Sequence, residues 1–304
     1  MRRVLFFLAL ITMGVSLAAQ DGPVRKPQFH DPNNTVVFPQ FVVGRFGDII
    51  IEATLRIAVP TSSGAAAIPS SFGGAFNVAV EPRTPGHTGP CLGAVQTGLN
   101  PILLLDHMRL NFRAPPGEIP CEGALIFEPG ETVSGDSGES PSGFGSALDG
   151  LVFSFFYTLR DLEGKLLDTV AVPPSRASQS ARYVMGRDTN FDIGVAIFVS
   201  NPGSIIRARI TPSADSGDGP VGAPTVFETD FNIRAPDGSP AFSSAFFPSA
   251  LFFLQGFPVN IPAAEVQLTL MSPGEMYVVG LGVHSEFPIV QLSGLPVETV
   301  PPQN

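Results

Sequence analysis

The chain of 304 residues carries 27 Asp and Glu against 17 Lys and Arg, a formal net charge of -10. An acidic chain with no basic cluster disfavours nucleic acid and anionic membranes as partners. Gly 32 and Pro 31 point to frequent turns and few long helices, and Phe 25 against Tyr 3 and Trp 0 points to aromatic side chains used for packing more than for ligand recognition.

The N-terminus reads as an export leader. Arg2-Arg3 is a short basic region, Val4 to Val15 is almost unbroken apolar, and Ser16-Leu17-Ala18-Ala19-Gln20 supplies the small residues that a signal peptidase needs. The apolar run is short of the ~20 residues of a spanning helix. Residues 1–19 are therefore expected to be a signal peptide cleaved near Ala18 or Ala19. The C-terminal end, Val297 to Asn304, is polar and proline-rich. The expected product is secreted or periplasmic, with no transmembrane segment in the mature chain.

Residues 20–33 are expected to be irregular, and 34–178 to form a first β unit. Val36 to Phe46 opens it. Asp48 to Val59 alternates, with Ile49, Ile51, Ala53, Leu55, Ile57 and Val59 on one face and Glu52, Thr54 and Arg56 on the other. Phe76 to Val80, Ile102 to Leu105, Met108 to Phe112, Ala124 to Phe127, Leu151 to Leu159 and Lys165 to Val172 are further strands. Glu131 to Ser146 is a Gly/Ser/acidic loop, and Ser175 to Ser180 a polar connector. Cys91 and Cys121 are the two cysteines. In an oxidising compartment they are expected to form a disulfide, worth about 3 kcal/mol through the loop it closes. No Cys or His sits at metal-ligand spacing.

Residues 179–300 are expected to form a second β unit, joined to the first over Ser175 to Arg187. Its central strand is Phe191 to Ser200, with Ile193, Val195, Ile197 and Val199 inward and Phe198 left to pack against the first unit. Asn201-Pro-Gly-Ser204 reads as a type II turn, Gly203 taking the positive φ. Ile206, Ala208 and Ile210 continue inward, which suggests an antiparallel hairpin. Ser243 to Phe253, the nearest helical candidate, is Phe-rich on all sides and broken by Pro248, so strand or loop is expected. The second unit repeats the first. Asn111-Phe-Arg-Ala-Pro matches Asn232-Ile-Arg-Ala-Pro, each copy is preceded by a long alternating strand, and the closing prolines Pro173 and Pro296 fall at nearly the same offset. Short strands and frequent turns then give an all-β chain of two related antiparallel β-sandwich units in tandem.

Phe38-Pro-Gln-Phe41, Gly194-Val-Ala-Ile-Phe-Val-Ser-Asn-Pro-Gly203 and Val278-Val-Gly-Leu281…Gly294-Leu-Pro-Val297 resemble the motifs of a group of exported bacterial all-β proteins. The resemblance covers about Val36 to Val297. It implies export and a β-sandwich fold, and it brings no activity and no catalytic residue. The chain departs from the group's pattern at Pro60-Thr-Ser-Ser-Gly64, where an Asn-Pro-Gly turn is usual, at Gly282 in place of Arg, and in the cysteine-flanked insertion.

Chemistry is not visible. Gly135-Asp-Ser-Gly138 matches the string around a serine-protease nucleophile, but His30, His87 and His107 lack the context of the partner that must accept the serine proton. Asp136, Glu139, Asp215 and Asp218 sit in acidic Gly/Ser loops too sparse for a calcium loop. Carboxylate pairs for glycoside hydrolysis have no aromatic context, and His284 has no partner cluster. The sequence thus offers no catalytic residue, no metal site and no cofactor. It reads as a non-enzymatic surface, extracellular or adhesion-type interaction module whose partner is a protein or a glycan. The loops Gly86 to Gly93 and Glu131 to Ser146 are the expected binding places. The alternative is a carbohydrate-binding or accessory module of a secreted degradative system, against which Trp 0 and Tyr 3 count.

Overall fold

A computed structural model of the protein describes residues 35–58, 75–82, 102–103, 107–113, 121–129, 151–186, 191–212, 226–235, 237–246, 263–286, 289–295 and 297–300. Among these residues the chain is all-β, with no helix and with every named strand pair antiparallel.

Eight strands come from the first half: β1 (Val36–Phe46), β2 (Ile49–Ala58), β3 (Ala75–Pro82), β4 (Ile102–Leu103), β5 (His107–Phe112), β6 (Cys121–Pro129), β7 (Val152–Asp161) and β8 (Leu166–Val172). They form one sheet in the order β4-β3-β6-β1-β2-β7-β8, with β5 also paired to β2. β1 lets this sheet face itself. Its residues up to Val43 pair with β6, and from Gly44 onward it pairs with β2. Gly44 sits at the change of partner with φ 140, a conformation that a side chain would strain.

Register against β6 slips between Phe38 and Phe41. Pro39 lies inside the slip and has no N–H for a ladder, so an extra residue is tolerated there. The bulge turns both Phe38 and Phe41 inward. Phe38 then meets Phe155 at 4.8 Å between ring centroids, and Phe41 meets Phe112 edge-on at 5.2 Å. The Tyr157 hydroxyl donates to the carbonyl of Gln40 in the bulge. Burial holds that phenol far above its ordinary range, so it stays protonated and able to donate. These rings and Val36, Leu55, Ile57, Leu125, Phe127 and Val172 make the first core.

Nine strands follow: β9 (Ser180–Gly186), β10 (Phe191–Val199), β11 (Ile205–Pro212), β12 (Phe227–Asn232), β13 (Ser243–Phe246), β14 (Ala263–Leu270), β15 (Met276–Glu286), β16 (Ile289–Leu295) and β17 (Glu298–Val300). One sheet has the order β13-β10-β15-β16, the other β12-β11-β14-β9-β17. Val195, Ile197 and Val199 point with Ile206, Ala208, Ile210, Val266 and Leu268 into the second core. The inward face read for β10 is therefore correct at these three positions. The side chain of Ile193 lies outside the described residues.

The hairpin expected around Asn201–Ser204 is not formed. Both edges of β10 are taken, by β13 and β15, and both edges of β11 by β12 and β14. The turn instead carries the chain from one sheet to the other, which is how two strands can be inward on the same core without pairing. Gly203 has φ 75, and a Cβ there would come within 3.1 Å of Pro240 Cβ. The junction expected over residues 175–187 is also more ordered than its composition suggested. Ser180 to Gly186 is strand β9, between β14 and β17. Ser175 and Ser178 are buried and bridged to Val37 and Met276.

β10 is buried on both faces from Gly194 to Val199. Ala196 and Val279 join the first core. Phe198 and Tyr277 join a third cluster with Val37, Ala124 and Ile126 of the first eight strands. Ser243–Phe246, the start of the Phe-rich stretch, is a strand, and residues 247–253 lie outside the described residues.

Two groups of three strands share one register. β2 runs between β5 and β7, and β11 between β12 and β14. Thr54 stands opposite Asn111 as Ile205 stands opposite Asn232, and Leu55 opposite Phe155 as Ile206 opposite Leu270. These are the strands that carry the two Asn-x-Arg-Ala-Pro motifs.

Candidate binding face

Strand alternation turns Glu52, Thr54 and Arg56 of β2 away from the first core, as read from the sequence. Register decides what lies beside them. Arg56 is opposite Arg109 of β5 and Ser154 of β7. Thr54 is opposite Asn111 and Phe156. Arg160 and Arg45 flank Ile50 on the same face. Arg113 follows β5 and reaches Glu52 at 3.1 Å with its side chain 78% exposed. Five arginines thus share the outward face of one small sheet. Among the described strand positions there, Glu52 is the one carboxylate, while Asp48, Asp161 and Glu163 lie at the turns of one end.

Polar contacts order this face. Glu52 takes Arg113 and Arg160, the latter at 3.3 Å. Asn111 Oδ1 accepts from Thr54 Oγ1 at 3.1 Å and from Arg109 Nε at 3.0 Å. Arg56 lies over the Phe156 ring, 5.6 Å from its centroid, which fixes a guanidinium by its flat face and leaves its edge for other partners. Arg160 and Arg45 each donate to a turn carbonyl, of Gly164 and Gly47. Arg56 and Arg109 remain side by side. Like charges directly opposite each other on a sheet destabilise it.

The outward face of β11 and β12 solves the same problem differently. Arg207 meets Asp230 through two bonds of 2.8 and 2.9 Å, and Arg209 lies 3.6 Å from Glu228. The hydrogen bond and charge of Arg207 hold the Asp230 carboxyl below the usual aspartate range, and Asp230 raises Arg207 in turn.

Cys121 opens β6 opposite Val43 and is fully buried in the first core. Cys91 lies outside the described residues, as do His30, His87, Asp136, Ser137, Glu139, Asp215, Asp218 and the loops Gly86 to Gly93 and Glu131 to Ser146. His107 starts β5 opposite Ala58, and His284 in β15 stands opposite Phe191 and Gln291. The side chains of both lie outside the described residues. Among the described residues no three His, Cys, Asp or Glu gather to hold a metal, and no helix is long and apolar enough to cross a membrane. Compared with known proteins, the chain matches no family model, no curated protein and no solved structure.

Proposed function

We propose that this is an exported, non-enzymatic interaction module of the cell surface or extracellular space, built from two related β-sandwich units in tandem. The observation that carries the reading is the ordered, solvent-facing arginine face of β2, β5 and β7. Side chains held by cross-strand bonds on a sheet backed by a packed aromatic core form a preorganised contact surface, which lowers the ordering cost of binding. The shared register of β5-β2-β7 and β12-β11-β14 supports the duplication. The Arg2 to Ala19 leader supports export.

Tagged mature protein incubated with the cell-surface and exoproteome fractions of the native host is the direct test. Wild type is expected to capture a partner that Arg56→Gln/Arg109→Gln does not. Equal capture by both, or none by either, overturns the reading. Protein recovered from the host is expected to begin at Ala19 or Gln20, and an intact Met1 in cytoplasmic extract overturns export. Cys91 and Cys121 are proposed to form one disulfide. Unreduced exported protein should then resist alkylation at both thiols, and full alkylation rules the bond out.

A further inference from the structure

We infer that the face formed by β2, β5 and β7 binds an acidic polysaccharide, a polymer bearing carboxylates and hydroxyls together. This rests on the interaction-module reading and names its ligand class. Three observations lead there. The first is the Arg56–Arg109 pair. At the matching register position of the other unit, Asp230 faces Arg207. Where one unit closes its arginine with a carboxylate of its own, the other presents two guanidinium groups to solvent. An external carboxylate fits that gap, because the planar fork of arginine binds carboxylate bidentately. Rules of local stability are broken most often where a surface has a task.

The second is spacing. Neighbouring strands lie about 4.8 Å apart, and alternate residues along a strand about 7 Å apart. The cations therefore recur over the face at a scale suited to a chain that carries charge on successive units, and Thr54, Asn111, Ser154 and Thr158 place hydroxyl and amide groups between them. A hydroxyl-rich polymer can use both.

The third is what the face lacks for other polyanions and for proteins. Phe156 is occupied by Arg56, so it offers no open ring on which bases stack. A chain with net charge -10 repels the dense charge of duplex nucleic acid. A protein partner favours an apolar centre to its interface, whereas the middle of this face carries Glu52, Thr54 and Arg56 with Asn111 and Arg109 beside them, and Phe156 in the same row lies under Arg56.

The test is native electrophoresis of the full mature chain through gels containing polygalacturonate, with neutral dextran, dextran sulfate and duplex DNA in parallel. Polygalacturonate is expected to retard the protein most, and salt to weaken the effect. Arg56→Gln/Arg109→Gln is expected to weaken binding by about tenfold or more, while Arg207→Gln/Arg209→Gln retains it. Should the first double variant fail to fold by circular dichroism, Arg113→Gln carries the same comparison from a highly exposed position. No retardation by polygalacturonate, equal retardation of variant and wild type, or stronger retardation by dextran sulfate or DNA overturns the inference. Loss of polygalacturonate binding alongside continued arginine-dependent capture of a surface protein would overturn this ligand and leave the interaction module standing.

Discussion

Arg56 faces Arg109, and Arg207 faces Asp230, at the same place in two three-stranded groups of like register. One outward face neutralises itself and the other accumulates charge. The backbone does not force this difference, since the strand order and pairing of the two groups agree. Nor does the core, since Leu55 and Ile206 are both fully buried beneath the matching positions. The difference lies in outward side chains alone. Those are the positions that a sheet leaves free for function once its inward positions are committed to packing.

The severest way to break the comparison is to remove the body on which both faces stand. Val195 is buried in the second core, while its neighbour Ala196 contributes to the first. Val195→Asp would place an unpaired charge in an apolar interior, at a cost of several kcal/mol against a domain stability of about 5–15 kcal/mol. Because β10 serves both cores, a single loss of both halves is expected in limited proteolysis. A protease-resistant first half ending within residues 175–187 would show that the two faces belong to independent bodies.

Next in size is a matched pair of cavities. Leu55→Ala under the arginine face and Ile206→Ala under the paired face should each cost about 2–5 kcal/mol. Denaturant melts of the two variants would compare the platforms directly. A Leu55→Ala variant as stable as wild type would mean that β2 is loosely held, and its arginines would then be no preorganised surface.

The sequence made the strands legible and left the face hidden, for a physical reason. Alternation is local, so the inward Ala53, Leu55 and Ile57 and the outward Glu52, Thr54 and Arg56 could be read from β2 by itself. Register is not local. Arg109 and Arg113 lie in another segment, and nothing in their own surroundings says that they stand beside Arg56 and Glu52. The Asn-x-Arg-Ala-Pro repeat was the nearest signal, since it marks β5 and β12 as counterparts. The same limit explains the Asn201–Ser204 turn. Its residues specify a sharp reversal, but whether the next strand pairs with the last or crosses to a second sheet depends on β13 and β15, which occupy the edges of β10 from far along the chain. The composition of Ser175 to Ser180 suggests a solvated connector, but Ser175 and Ser178 are buried and bond backbone, Ser175 Oγ accepting from the Val278 N–H at 2.8 Å and Ser178 Oγ donating to the Met276 carbonyl at 2.9 Å.

A smaller effect would sharpen the comparison itself. Arg109→Glu converts the like-charge pair with Arg56 into an attractive one, the arrangement already present at Arg207 and Asp230. Stability is expected to rise by about 0.2–1 kcal/mol, read as a higher melting midpoint at low salt and a smaller gain at high salt. Binding through the face should fall at the same time. A variant no more stable than wild type would mean that Arg56, held over Phe156, already escapes the repulsion, and that the pair is not strained.

The smallest expected effect concerns the neutralised face and acid. The folded Asp230 carboxyl is held below the usual aspartate value, first by the hydrogen bond from Arg207 and then by its charge. A carboxyl so depressed binds fewer protons when folded than when unfolded, so its contribution is complete above the unfolded value of about 3.9 and is lost as pH falls through the lower folded value. Both side chains are nearly half exposed, and water screens such pairs strongly. Asp230→Asn should therefore lower the melting midpoint only slightly at neutral pH, and wild type and variant should converge in acid. Among the described residues the arginine face has no matching carboxylate at Arg109, so Arg109→Gln should show no convergence of this kind over the same range. An acid-dependent difference at Arg109 equal to that at Asp230 would mean that a carboxylate of the chain does reach Arg109, and the two faces would be alike in their electrostatics after all.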